Sequence, residues 1–461
     1  MNDQWPLRYP SLVNGKKKVA VIGSGPVGAT IAHELVISGK FEVNLFDQAN
    51  LPSHTKNISD LRSNRLQLSS GEIGRNCVSR RKLVSSEIGG FSKVWGGTWD
   101  QLTFPEDSKW KDAYKSVDNL VNLTFEYRED VKRKDHYCEC QLQEQLDDSK
   151  YSVGQFAISF SKSKLLLSRL AGNRRIDGLE SWSSTQLLEL ISKYPNFVFS
   201  KGRRLISFQS HEDFVSLNFE GSEEIFDILV LAAGPIGTSE IICRSMPGIT
   251  LRLQDTALAY SAAFRLPKMN QGNRSGFSHI SSKLTDDNNS VLLYSQFYTH
   301  MFENQLLITK RIPFLLKPII GALLFLLNPF LIVILHYTST AISDGLDISC
   351  SNGTDCIIKR NGKALNYYRF FRLTRYLAKT LRKKGIFLLS FTFIKARVGQ
   401  SFHSGAAIDP PWNESGKLTS QSNVYVAGAL ALKSIDPGPI TKTSMAQAIL
   451  VSQEIISKVK E

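Results

Sequence analysis

The sequence predicts an α/β protein built on a parallel sheet, with an antiparallel region inserted into the chain. Three observations carry this. Residues 17–47 read as one strand–helix–strand unit, a further buried strand stands near residue 230, and turn-rich apolar segments occupy 250–400.

The first unit is the most sharply patterned. Val19-Ala20-Val21-Ile22 is short and wholly apolar, as a strand covered on both faces must be. Gly23-Ser24-Gly25-Pro26-Val27-Gly28 follows, then the helical run Ala29 to Leu35. After Ser38-Gly39 a second strand, Glu42 to Phe46, ends at Asp47. The three glycines serve different ends. Gly23 permits the tight turn, Gly25 the close approach of a pyrophosphate, and Gly28 the close packing of helix on strand. The helix N-terminus supplies unpaired N–H groups and a dipole that favour an anion, and Pro26 and Val27 of the turn are further expected cofactor contacts. Asp47 lies 19 residues after Gly28, where an acid accepts ribose hydroxyls. The unit therefore predicts a dinucleotide site.

Residues 50–150 read as irregular, polar and basic, with a Gly-rich block at 89–97. Phe226 to Leu231 is a buried strand running into Ala232-Ala233-Gly234. Val291 to Tyr294 and Gln305 to Ile308 read as strands, and Asn352-Gly353 and Asn361-Gly362 as hairpin turns. An amphipathic helix is expected over 366–384, and a closing helix from Thr443 to Lys458. The domains expected are 15–240 plus 400–461 for the nucleotide and 241–399 for the substrate.

Composition narrows the class. The 461 residues are 42% hydrophobic and 21% charged, those of a folded globular protein. The net charge of +14 comes from dispersed Lys and Arg with no nucleic-acid-binding motif, so nucleic acid is not an expected partner. An anionic membrane surface or substrate suits the charge better, and solvated surface accounts for part of it. Six sparse cysteines suit a reducing compartment, and no apolar leader precedes Lys16, so a cytoplasmic location is expected. His136, Cys138 and Cys140, with Cys350 and Cys356, form the one grouping with zinc-type ligands. Their spacing lacks a C-x-x-C pair, and no metal is expected.

Four further blocks follow the first in order. Gly89-Gly90-Phe91-Ser92-Lys93-Val94-Trp95-Gly96-Gly97 is one, and Leu231-Ala232-Ala233-Gly234-Pro235-Ile236-Gly237-Thr238 the next. Ser401-Phe402-His403-Ser404-Gly405 is the third. Asn423 to Gly428 and Ala429, with Pro439-Ile440-Thr441-Lys442-Thr443-Ser444-Met445-Ala446, closes the set. Together with the first turn these resemble the glucose–methanol–choline (GMC) oxidoreductase family across residues 19–455. The resemblance implies FAD, a PHBH-like two-domain flavoprotein (a Rossmann-like FAD-binding domain with an inserted antiparallel-sheet substrate domain) and oxidation of an alcohol. It places Gly90, Ser92, Trp95, Gly96 and Gly97 beside the flavin, with Trp95 either packing on the ring or serving as a substrate platform. Ala233, Gly234, Gly428, Ala429 and Thr441 would be further cofactor contacts. His403 would be the catalytic base, with Thr441 and Thr443 as companions. A neutral imidazole suits removal of a hydroxyl proton while a hydride leaves carbon. Two departures stand out: His403-Ser404-Gly405 is one residue shorter than the family's His-x-x-Gly, and Gly438 occupies the place of a second His or Asn.

Residues 318–335 carry no charge. As a helix they would reach about 27 Å at roughly 1.5 Å per residue, close to the hydrocarbon thickness of a bilayer. A single crossing would put Gly23 and His403 on opposite sides of the membrane, so it conflicts with one shared site. Asn328-Pro329 breaks the helix, and the expectation is a monotopic hairpin or in-plane anchor over 313–337. A buried helix pair of the substrate domain is the competing reading. Attachment at a membrane's inner face would suit a lipid-linked or amphipathic alcohol or sugar as substrate and a quinone as electron acceptor. Two other functions compete: an NAD(P)H-dependent flavin reductase or saturase, and a redox-inactive, flavin-containing lipid-binding protein.

Overall fold

The computed structural model describes residues 15–50, 87–93, 99, 107–126, 132–133, 151–153, 158–160, 179–265, 280–285, 291–298, 331–338, 345–351, 355–361, 367–383, 385–395 and 404–459. A five-stranded parallel sheet is its centre. Its strands are β1 (Lys17–Ile22), β2 (Phe41–Asp47), β7 (Phe197–Lys201), β11 (Ile228–Leu231) and β21 (Val424–Val426), in the order β21-β11-β1-β2-β7. β1 shows why: Val19 and Val21 enter one core while Ala20 and Ile22 enter the other, so both faces must be covered.

Helices cover the first face. They are α1 (Pro26–Ile37), α2 (Ser108–Glu126), α3 (Ser184–Ile191) and α6 (Thr441–Lys458). The sequence reading missed α2 inside a stretch taken as irregular. Ala113, Tyr114, Val117, Leu120, Val121 and Thr124 recur at three- and four-residue spacing and are all buried, while the intervening Lys, Asp and Ser mask the stripe. The second face takes the antiparallel meander β8 (Leu205–Ser210), β9 (Val215–Phe219) and β10 (Ser222–Phe226), with α4 (Gly234–Ser245).

The region read as an insertion divides between two cores. β12 (Thr250–Asp255), β17 (Gly345–Ser351), β18 (Asp355–Asn361) and β20 (Ser404–Ile408) form one sheet. Its Leu251, Leu253, Leu346, Ile348 and Ala407 share a core with Ile22, Leu229 and Val426 of the parallel sheet. β13 (Ala257–Arg265), β14 (Ile280–Thr285), β15 (Val291–Tyr298), β16 (Leu331–Thr338) and β19 (Ile386–Lys395), with β4 (Tyr151–Val153), form a six-stranded antiparallel sheet. Helix α5 (Tyr367–Lys383) packs on it through Phe370, Leu377 and Leu381. A small sheet of β3 (Lys132–Arg133), β5 (Ile158–Phe160) and β6 (Leu179–Ser181) completes the described elements.

Two expectations change. The C-terminal arm of the apolar stretch is neither a membrane arm nor a helix: Leu331–Thr338 is strand β16, hydrogen-bonded between β13 and β15 with Ile332 and Ile334 fully buried. A run rich in β-branched residues such as Leu-Ile-Val-Ile-Leu suits a covered strand, and length alone misled. Residues 313–330 lie outside the described residues. Gly362 lies outside the described residues, as does the turn expected at Asn361-Gly362. Cys350 and Cys356 are not reduced; they face each other across β17 and β18 and form a disulfide, which removes them as metal ligands. Among the described residues no helix is long and apolar enough to cross a membrane, and no group of His, Cys, Asp and Glu is arranged to hold a metal ion.

Candidate active site

Helices α1 and α4 begin just past the carboxyl ends of β1 and β11, and α6 follows β21 after the short turn Ala429–Ala431 and a loop. None has a side-chain cap, and none carries an acid in its first turn. Each leaves N–H groups and a positive dipole end for something anionic.

The Gly turn behaves as its spacing predicts. Gly23 has φ of 106°, and a Cβ there would meet Ala232 O at 2.6 Å and Ala233 Cα at 2.8 Å. A Cβ on Gly28 would collide with the Gly23 carbonyl oxygen. Gly25 is different: its backbone is extended, with φ of −64°, and a Cβ on it would meet nothing within 4 Å. The turn is thus packed at its first and third glycines and open at its second, the surface a pyrophosphate needs.

Asp47 ends β2 as expected, but its oxygens face the protein. Oδ2 accepts the Ser24 N–H at 2.7 Å and Oδ1 the Ala49 N–H at 2.8 Å. Burial pushes its carboxyl above the usual range, and those hydrogen bonds pull part of the way back. Asp47 braces the turn and keeps lone pairs for a further donor.

A buried serine cluster, missed in the sequence reading, joins the turn to the Gly90 loop. Gly89 N donates to Ser24 Oγ at 2.9 Å, and Ser92 Oγ donates to Gly89 O at 2.6 Å. Ser184 Oγ lies 2.9 Å from Ser24 O and 3.2 Å from Gly89 O. Ser183 and Ser184 open α3, about 90 residues further on, and no local pattern signals such a partnership. Removing the hydroxyl with Ser184→Ala leaves buried carbonyls short of a partner. It should lower stability by about 1–3 kcal/mol in chemical denaturation. An unchanged midpoint would show that the cluster is not a brace.

Gly428 ends β21 with φ of 84°, and a Cβ there would lie 2.7 Å from Val27 Cγ2. Its N–H donates to Gln447 Oε1 at 2.6 Å, while the buried Gln447 Nε2 has no partner. A Cβ on Gly405, at the start of β20, would meet Ala429 O at 2.5 Å. The residues just after His403 therefore lie against the Gly428-Ala429 segment, which itself touches α1. His403, Trp95, Gly96 and Gly97 lie outside the described residues, as do His136, Cys138, Cys140, Asn352, Gly353 and the strand expected at Gln305–Ile308. Ala233 caps α4 beside Gly23, and Gly234 has φ of 75°.

Around the start of α6 the structure adds detail. Thr441 is half-buried, whereas Thr443 is fully buried and its hydroxyl lies 2.9 Å from Tyr114 OH on α2. Buried Lys442 pairs with Asp118 at 2.9 Å, and Asp118 also accepts Trp99 Nε1 at 2.7 Å. This ion pair offsets a cation placed at a helix N-terminus, where the dipole disfavours it. In the loop before α6, burial raises the Asp436 carboxyl and Lys283 of β14 partly reverses it. Asp436 brings a carboxyl near the site that the sequence reading did not single out. Gly438, with φ of 137°, takes a backbone conformation that favours glycine, which accounts physically for the absence of a side chain there.

The architecture is a five-stranded parallel sheet with separate antiparallel sheets. Its fold resembles that of pyridoxine 4-oxidase. The crystal structure of that enzyme from Mesorbium loti matches with a TM-score of 0.61 over 96% of this chain and 100% of that chain, at 14% identity. Solved structures of 678 chains match, so the likeness speaks for the fold and does not choose a reaction. No family model matches the sequence, and no curated protein matches it.

Proposed function

We propose that the protein is an FAD-dependent oxidoreductase of the GMC type that oxidises an alcohol or sugar hydroxyl. The observation that carries this reading is the open face of Gly25 between two closed glycines, at the uncapped start of α1. The residues fit a dinucleotide: Gly25, Val27 and Gly28 would hold the pyrophosphate through backbone N–H groups. Asp47 has lone pairs left for ribose hydroxyls, and the unpartnered Gln447 Nε2 is a buried donor beside Gly428. Gly90, Ser92, Ala233, Gly234, Ala429 and Thr441 would be the further cofactor contacts.

Bound FAD would supply the hydride acceptor. The chain's part is to hold the substrate carbinol, exclude water and take the hydroxyl proton, and His403 is the residue assigned to that proton. His403→Asn should keep flavin content and lower the rate of flavin bleaching by an alcohol about 10²–10⁴-fold, measured anaerobically by stopped flow. A variant as fast as the parent removes His403 from the role.

The charge-free sequence of 318–330 supports an amphipathic or lipid-linked alcohol and a membrane quinone as acceptor. Absorbance during anaerobic addition of sugars and prenyl alcohols tests the class. Flavin that none of them bleaches would favour an NAD(P)H-dependent reductase or a redox-inactive lipid-binding flavoprotein.

A further inference from the structure

Helix α5 turns Phe370, Thr374, Leu377 and Leu381 to the six-stranded sheet. Its opposite face exposes five cations, Arg372, Arg375, Lys379, Arg382 and Lys383, together with Phe371 (45% exposed) and Tyr376 (48%). At about 100° per residue these seven fall within an arc of roughly 140°. No acid occurs in the 17 residues of the helix, and among the described residues none of the five cations forms a salt bridge.

Strand register adds an independent observation. Phe264 of β13 pairs with Leu331 of β16 on one side and Phe387 of β19 on the other. The starts of β16 and β19 thus share one end of the sheet, where Phe387 is 37% exposed. The cationic end of α5 immediately precedes β19. β15 ends at Tyr298, paired with Val333 near the same end. In the sequence between β15 and β16, residues 318–330 carry no charge.

We propose that the outer face of α5, with the sheet end beside it, docks on an anionic lipid bilayer. Dispersed cations read a charged plane by Coulomb attraction, and the exposed aromatic rings suit the headgroup level. The charge-free sequence between β15 and β16 favours lipid over nucleic acid. The inference rests on the proposed function only in taking a membrane as partner; it needs neither flavin nor turnover.

Flotation of the full chain with vesicles of phosphatidylcholine alone, and with phosphatidylserine added, is the test. Binding should require phosphatidylserine and be released by raised salt. Arg372→Gln, Arg375→Gln and Lys379→Gln combined should weaken it on the order of a hundredfold, at about 1 kcal/mol per cation. Flavin content, measured on the same samples, should stay unchanged. Equal binding to both vesicles, or a triple variant that binds like the parent, overturns the proposal. So does an RNA oligonucleotide that binds this face when vesicles do not. Should the triple variant fail to fold, release of the parent by salt still decides the electrostatic part. Loss of flavin with vesicle binding intact would count against the enzyme reading alone.

Discussion

Gly25→Ala is expected to give a protein that folds like the parent and binds FAD more weakly. The backbone at Gly25 is in an extended conformation open to alanine, and the new methyl meets no protein atom within 4 Å. Stability without cofactor should change by no more than about 0.5 kcal/mol. The methyl would stand between the helix N-terminus and a pyrophosphate. Losing even one charge-assisted hydrogen bond costs about 1.5–3 kcal/mol, so FAD affinity should fall roughly tenfold to a hundredfold or more. Gly28→Ala is the contrast. Its methyl collides with the Gly23 carbonyl, so folding and flavin content should suffer together, with about 1–3 kcal/mol lost. Calorimetry of flavin-free protein and titration with FAD separate the two. A Gly25→Ala protein that binds FAD as tightly as the parent would remove the pyrophosphate from this turn.

The second large effect is on acid stability. His336 on β16 is completely buried, with Nε2 2.7 Å from Ser261 Oγ and Nδ1 2.9 Å from Ser295 Oγ, beneath the ring of Phe370. Burial drives its pKa from 6.5 down to about 3. The unfolded chain therefore takes up a proton here below pH 6.5 while the folded chain does not. The contribution to stability is complete above pH 6.5 and is lost as pH falls toward 3. The slope is about 1.4 kcal/mol per pH unit, for a total of roughly 4–5 kcal/mol. Asp47 and Asp436 act in the opposite sense: their carboxyls are raised, so their effect favours the folded state at low pH and fades as pH rises through the raised values. A difference between two proteins isolates the histidine. His336→Gln keeps a donor and an acceptor but does not titrate, so denaturation midpoints at pH 7 and pH 5 should differ less in the variant than in the parent. Equal pH dependence would mean that His336 is charged or accessible in the folded protein.

The sequence made the nucleotide turn legible because its chemistry is local: three glycines, a strand before and a helix after. The closing helix and α5 were legible for the same reason, from periodicity. What escaped was non-local. Ser184 joins Ser24 from 160 residues away, and Asp118 meets Lys442 from 324. Neither residue carries a signal until the fold brings its partner. Helix α2 escaped for another reason, since its buried stripe is narrow and half its residues are polar. The apolar run at 331–335 was misread because a central strand and a membrane-inserted segment share the same composition. Only pairing with β13 and β15 separates them. Thr443 and Asp47 were singled out by position alone, and their protein-facing hydrogen bonds could not be read from one dimension.

The division of the inserted region between two cores bears on how such a protein can be altered. β12, β17 and β18 lie in the stretch that sequence assigned to the substrate side, yet they pack under the parallel sheet. A chimaera that exchanged the whole of 241–399 for a foreign cassette would strip Leu251, Leu253, Leu346 and Ile348 from beneath β1 and β11. The transplantable module is smaller: the strands that pair with β13, together with α5, grafted in while the hairpin β17–β18 stays with the host. Any lineage that diversified its substrates by recombination would have had to cut inside those same seams.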